Sequence, residues 1–153
     1  MLCDACSVKS SCGGDAIGFD GGKKVHGRKR QLVTDTLVLL WAADAHSAQV
    51  HDSRGALDVI KEAVAKLCRV FKMYVDSAYH GDVSSWLEAH HIEVVIPSHL
   101  TPGFTPQAQR WVVERTIAWL TRLRRLAKDF EKTVASSIAM TLLGGIRIAC
   151  RRL

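Results

Sequence analysis

The chain has 153 residues, 48% hydrophobic and 7% aromatic, a composition that excludes a disordered tail and suits one domain with a real core. Its 21 Lys and Arg outweigh 15 Asp and Glu to give a net charge of +6, and the excess is clustered: five cations in residues 23–30, six in residues 110–128, then Arg147, Arg151 and Arg152. No apolar run approaches the roughly 18 residues of a membrane span, and the start, MLCDACSVK, has no basic-then-apolar leader pattern, so a cytoplasmic protein with a nucleic-acid partner is expected.

Strand alternation over residues 1–8 places Leu2, Asp4, Cys6 and Val8 on one face, which predicts a first strand carrying Asp4. Residues 10–22 are rich in Ser, Gly and Asp and read as a loop. Residues 22–35 read as a strand with a cationic start. The almost continuous apolar opening of residues 38–48, VLLWAADAHSA, predicts a central strand. Together these make a meander of three antiparallel strands.

The period then changes. Over residues 52–68 Leu57, Ile60, Val64 and Leu67 recur at helical spacing, with Asp52 or Ser53 as N-cap. A short strand over 71–75 ends at Asp76, a short helix covers 82–90, and a compact strand covers 92–96. Residues 97–106 hold all three prolines and read as a connector, with Thr105 and Pro106 capping a long helix over 110–128. A final helix from about 135 to 152 has Ile138, Leu142, Ile146 and Ile148 to bury, with Gly144-Gly145 weakening its middle. The order predicts a mixed α/β layer fold in a single domain over 1–153.

An acidic residue at the end of a central strand is costly to bury and is well placed for a site. Asp76 is such a residue. Were the first and fourth strands neighbours, Asp4 and Asp76 would converge, and Glu114, set in the basic stripe of the long helix, would reach in. Three carboxylates are the hard oxygen donors Mg²⁺ prefers, and two such ions suit phosphodiester cleavage. Asp35, Asp44 and Asp52 read as turn, edge or cap residues. His26, His46, His51 and His80 show no ligand spacing, though His80 is only four positions beyond Asp76. Cys3, Cys6, Cys12, Cys68 and Cys150 read as free thiols; a competing reading makes Cys3, Cys6 and Cys12, with His26, the start of a zinc site. No G-x-S-x-G elbow is present.

Three blocks, DACSVK over residues 4–9, IGFDGGKKVHGRKR over 17–30 and RWVVERTIAWL over 110–120, resemble bacterial insertion-sequence transposases of the DDE class. The resemblance covers nearly the whole chain. It implies an RNase H-like fold, with Asp4, Asp76 and Glu114 as catalytic carboxylates holding two Mg²⁺ or Mn²⁺ ions, and with Arg110 contacting DNA near the cleaved phosphate. The chain departs from many relatives at Gln107, where they have Tyr, and at Thr121, where they have Lys. The implied activity is cleavage of DNA at element ends and strand transfer to target DNA. Lys23, Lys24, Arg28, Lys29, Arg30, Arg110, Arg115, Arg122 and Arg125 are the candidate phosphate contacts. The chain resembles the second reading frame of a split transposase, which implies an N-terminal partner frame, a shortened first strand and a homo-oligomer on DNA. The rival readings are a catalytically inactive DNA-binding or regulatory fragment and a small zinc-stabilised module.

Overall fold

The computed structural model describes residues 1–67, 69–79, 81–96 and 110–151, and of Arg110 the backbone alone. β1 (Leu2–Lys9) forms where the alternation predicts it. It runs antiparallel to β3 (Val25–Thr34), from Leu2 opposite Thr34 to Lys9 opposite Gly27, and parallel to β5 (Lys72–Tyr74) through Leu2 and Tyr74. On the other side of β3 lie β4 (Leu40–Ser47) and, against the first residues of β3, β2 (Gly18–Asp20). β6 (Glu93–Val95) extends the sheet parallel to β5. β1 is thus the middle strand, antiparallel to one neighbour and parallel to the other.

Two strand assignments need correction. The segment 10–22, read as a loop, contains β2. Residues 38–48, read as a central strand, form β4, which among the described residues pairs only with β3. β4 is apolar for a different reason: helices cover both of its faces. Ala42 packs with Ala56, Val59 and Ile60 of α1 (Asp52–Lys66), while Ala43 packs with Leu120, Leu126 and Ile148 on the opposite side.

α1 buries Ala56, Val59, Ile60 and Ala63, a seam turned slightly from the expected one, whose two alanines let the helix approach the sheet closely. Its N-cap is His51, one residue earlier than predicted, with the ring accepting the Ser53 N–H. α2 (Asp82–Ala89) buries Val83 and Leu87 beside it. α3 (Arg110–Thr121) is shorter than the predicted helix over 110–128. After Thr121 the ladder gives way to turns, in which the Leu126 and Ala127 N–H groups both reach Leu123 O, and to tertiary bonds: the Arg30 guanidinium donates to the Leu126 carbonyl at 2.9 Å, and the Asp129 N–H goes to Lys9 O at 2.9 Å.

α4 (Val134–Cys150) starts at its cap, Thr133, whose hydroxyl accepts the Ser136 N–H. It buries Ser137, Thr141, Gly144, Gly145 and Ile148, whereas Ile146, expected inside, is 58% exposed. The glycine pair is the contact surface, since a Cβ on Gly144 would lie 2.6 Å from Leu126 Cδ1. Among the described residues no helix is long and apolar enough to cross a membrane. Cys68, His80, the connector with its Thr105-Pro106 cap, Gln107 and Arg152 lie outside the described residues.

Candidate active site

Parallel pairing of Leu2 with Tyr74 brings Asp4, two residues further along β1, to the same end of the sheet as Asp76, two residues past the end of β5. On that side α3 covers the sheet, and Leu2, Val38, Val112 and Val113 form a buried cluster with Tyr74 against it. There Asp4 and Asp76 line one small cleft with Leu2, Tyr74 and Val113. Local bonds orient each carboxylate: Asp4 Oδ1 accepts the Ala5 N–H at 2.7 Å, and Asp76 Oδ1 accepts the Ser77 N–H at 2.6 Å and its hydroxyl at 3.1 Å. The Asp76 carbonyl also accepts the Tyr79 N–H, closing the 3-10 turn over Ser77–Tyr79 that ends the strand. Asp76 is therefore both a turn residue and a cleft residue.

Glu114 follows Val113, whose side chain lines the cleft, and is exposed on α3. Among the described residues no three His, Cys, Asp or Glu side chains stand close enough to hold one ion. The donor set nevertheless fits Mg²⁺ or Mn²⁺: two oriented carboxylates converge on one cleft, and such ions are often held by one or two carboxylates with water and substrate phosphate completing the shell.

The cations divide sharply. Arg28, Lys29 and Arg30, expected to meet DNA, are buried instead, because β3 is covered on both faces. Arg28 donates to Asp129 Oδ2 at 3.0 Å and to the carbonyls of Asp15, Glu131 and Lys132, and Lys29 Nζ sits 2.6 Å from Asp52 and donates to Val50 O. Cations so enclosed cannot reach a phosphate in this conformation. Arg125 lies off the helix and is paired with Glu131 at 2.9 Å. Lys23, which donates to Ala5 O at 3.3 Å, Lys24 and Arg122 are exposed. Arg115 is stacked between two indoles, its Cζ 4.3 Å from the Trp111 ring centre and 5.0 Å from that of Trp119. The side chain of Arg110 lies outside the described residues.

Cys3 and Cys6 cannot share a zinc ion, because three positions along a strand put them on opposite faces. Cys3 is in the core under α1, while Cys6 stands opposite Arg30 in the β1–β3 ladder. Burial, and then the nearby Asp4 carboxylate, push the Cys3 thiol far up; Cys6 is pushed up to about 11, chiefly by burial. Asp35 fastens the β3–β4 turn by accepting the Leu37 and Leu39 N–H groups and the Trp41 indole N–H. Asp129, which anchors Arg28, carried no signal in the sequence, since its partner lies 101 positions away.

The sheet order, with helices on both faces, defines an RNase H-like fold. The same fold is seen in the catalytic core domain of BIV integrase, with a TM-score of 0.54 and 15% identity over 93% of this chain and 80% of that one. The chain belongs to the family described as transposase DDE domain, whose profile matches residues 5–103, more than half its length. That match includes Asp76, starts one residue after Asp4 and ends before Glu114. Comparison with curated proteins gave no match.

Proposed function

We propose that this chain is the catalytic domain of a DNA transposase, with Asp4, Asp76 and Glu114 as its acidic site. The observation that carries the reading is the meeting of Asp4 and Asp76 in one cleft beneath α3, beside the helix that bears Glu114. Mg²⁺ or Mn²⁺ held by these carboxylates would supply an activated water and charge stabilisation at the phosphate. The chain's part is to fix the donors: Ala5 and Ser77 N–H groups set the two aspartates, and α3 brings the glutamate to the solvent side. In the first step a water oxygen joins the phosphorus and the element's 3′ oxygen leaves. In the second, that 3′-hydroxyl joins a target phosphorus and the target's own 3′ oxygen leaves. Lys23, Lys24, Arg110, Arg115 and Arg122 remain as phosphate contacts. The partners are duplex DNA at element ends and target, and a second copy of the chain.

One observation favours the rival reading of a DNA-holding fragment that does not cut: the three carboxylates are not gathered into one cluster among the described residues. Cleavage of a labelled duplex carrying the element's terminal repeat separates the two. The catalytic reading expects nicking that needs Mg²⁺ or Mn²⁺, stops with EDTA and falls at least about 10²-fold in Glu114→Gln, the loss typical of removing one charge-stabilising group. Undiminished cleavage in that variant would remove Glu114 from the site, and DNA binding without any cutting would establish the rival.

A further inference from the structure

Arg122, Arg147 and Arg151 come together at the far end of α3 from the carboxylates. They line a cleft of about 400 Å³ over an apolar floor of Trp119, Leu123 and Ile148. Arg147 and Arg151 stand four residues apart on the same face of the last turn of α4, and Arg122 follows the end of α3. All three are exposed, and none makes an ion pair among the described residues, in contrast to Arg28 with Asp129 and Arg125 with Glu131. The C-terminus of α4 contributes only about half a negative charge, so the cleft stays strongly positive. An apolar floor beneath charges of one sign concentrates their field. That is the chemistry of a phosphodiester backbone site.

We propose that Arg122, Arg147 and Arg151 form a second DNA-holding cleft, which grips the duplex backbone apart from the acidic site. The proposal rests on the transposase reading above. At about 1.5 Å of rise per residue, Arg122 lies roughly 12 Å along the α3 axis from Glu114, a few base pairs at about 3.4 Å per step. The cleft therefore holds a flanking stretch of the duplex whose cut phosphate lies at Asp4 and Asp76. Arg147 and Arg151 thereby join Arg122 as phosphate contacts.

The test is fluorescence-anisotropy titration of a labelled duplex several helical turns long, without metal, over a series of KCl concentrations. It compares the native chain with Arg147→Gln/Arg151→Gln and, separately, with Arg122→Gln. The double variant should bind roughly tenfold or more weakly, and its slope of log K against log salt should drop by about two, near 0.9 for each phosphate no longer neutralised. Arg122→Gln should lower the slope by about one, and because all three side chains are exposed the melting temperatures should stay unchanged. Unchanged affinity and slope in both variants, with the native chain binding, would overturn this cleft and leave the transposase reading intact. Failure of the native chain to bind duplex even at low salt would overturn both.

Discussion

The Asp129 carboxylate has no exposed surface and is met by Arg28 at 3.0 Å, by the Ser137 hydroxyl at 2.9 Å and by the Glu131 N–H at 3.1 Å. Removing the cation would leave that buried charge facing only the longer contact of Arg30, at 3.9 Å. Arg28→Gln should therefore lose about 3–5 kcal/mol of stability, read by chemical denaturation; a loss below about 1 kcal/mol would show the clasp to be dispensable. The string KKVHGRKR exposes its charge composition but not its burial. Only a strand covered on both faces turns Arg28 and Lys29 inward in opposite directions, and their acceptors, Asp129 and Asp52, lie far along the chain. The cysteines give a prediction of opposite charge type. Folded Cys6 holds its proton up to about pH 11 against an ordinary value of 9.0. A raised value contributes stability that is complete below pH 9 and is lost as pH climbs through 11, and the Cys3 and Tyr79 shifts act in the same direction. Melting temperature should fall over that alkaline window, and less steeply in Cys6→Ala; identical curves would contradict the assignment.

At the scale of elements, the helices show where apolar periodicity misleads. Ile146 and Leu143 are outside on α4, and small residues are inside, because close approach to β4 and to the segment after α3 selects for lack of bulk. A Cβ on Gly145 would come 2.9 Å from Leu40 Cβ, close to the backbone of β4, whereas on Gly144 it would meet only the ends of leucine side chains. Ala gains about 1 kcal/mol of helix propensity over Gly, but overpacking costs about 1–3 kcal/mol. Gly145→Ala should be destabilising and Gly144→Ala close to neutral, as judged by thermal melts; the reverse order would refute the packing account. The short helix, both parallel strands and the final helix were legible from period and turn residues. The end of α3 was not, since Arg30 and Lys9, which capture the carbonyl of Leu126 and the N–H of Asp129, are distant in sequence.

For the whole molecule, the parallel joining of β1 to β5 is what makes a site possible. It sets side by side two aspartates separated by most of the first half of the chain, against the helix that carries Glu114. Asp76 was readable as a strand-end carboxylate, Asp4 from strand alternation and Glu114 from the basic stripe of its helix; their joint catalytic role was implied by the resemblance. Spacing alone could not pair Asp4 with Asp76, because strand order is a tertiary fact. The most direct measurement is Mn²⁺ binding by calorimetry to the native chain, Asp4→Asn and Asp76→Asn. A shared site predicts saturable binding that either substitution weakens by an order of magnitude or more, with the fold intact by circular dichroism. Equal Mn²⁺ affinity in all three folded proteins would contradict it.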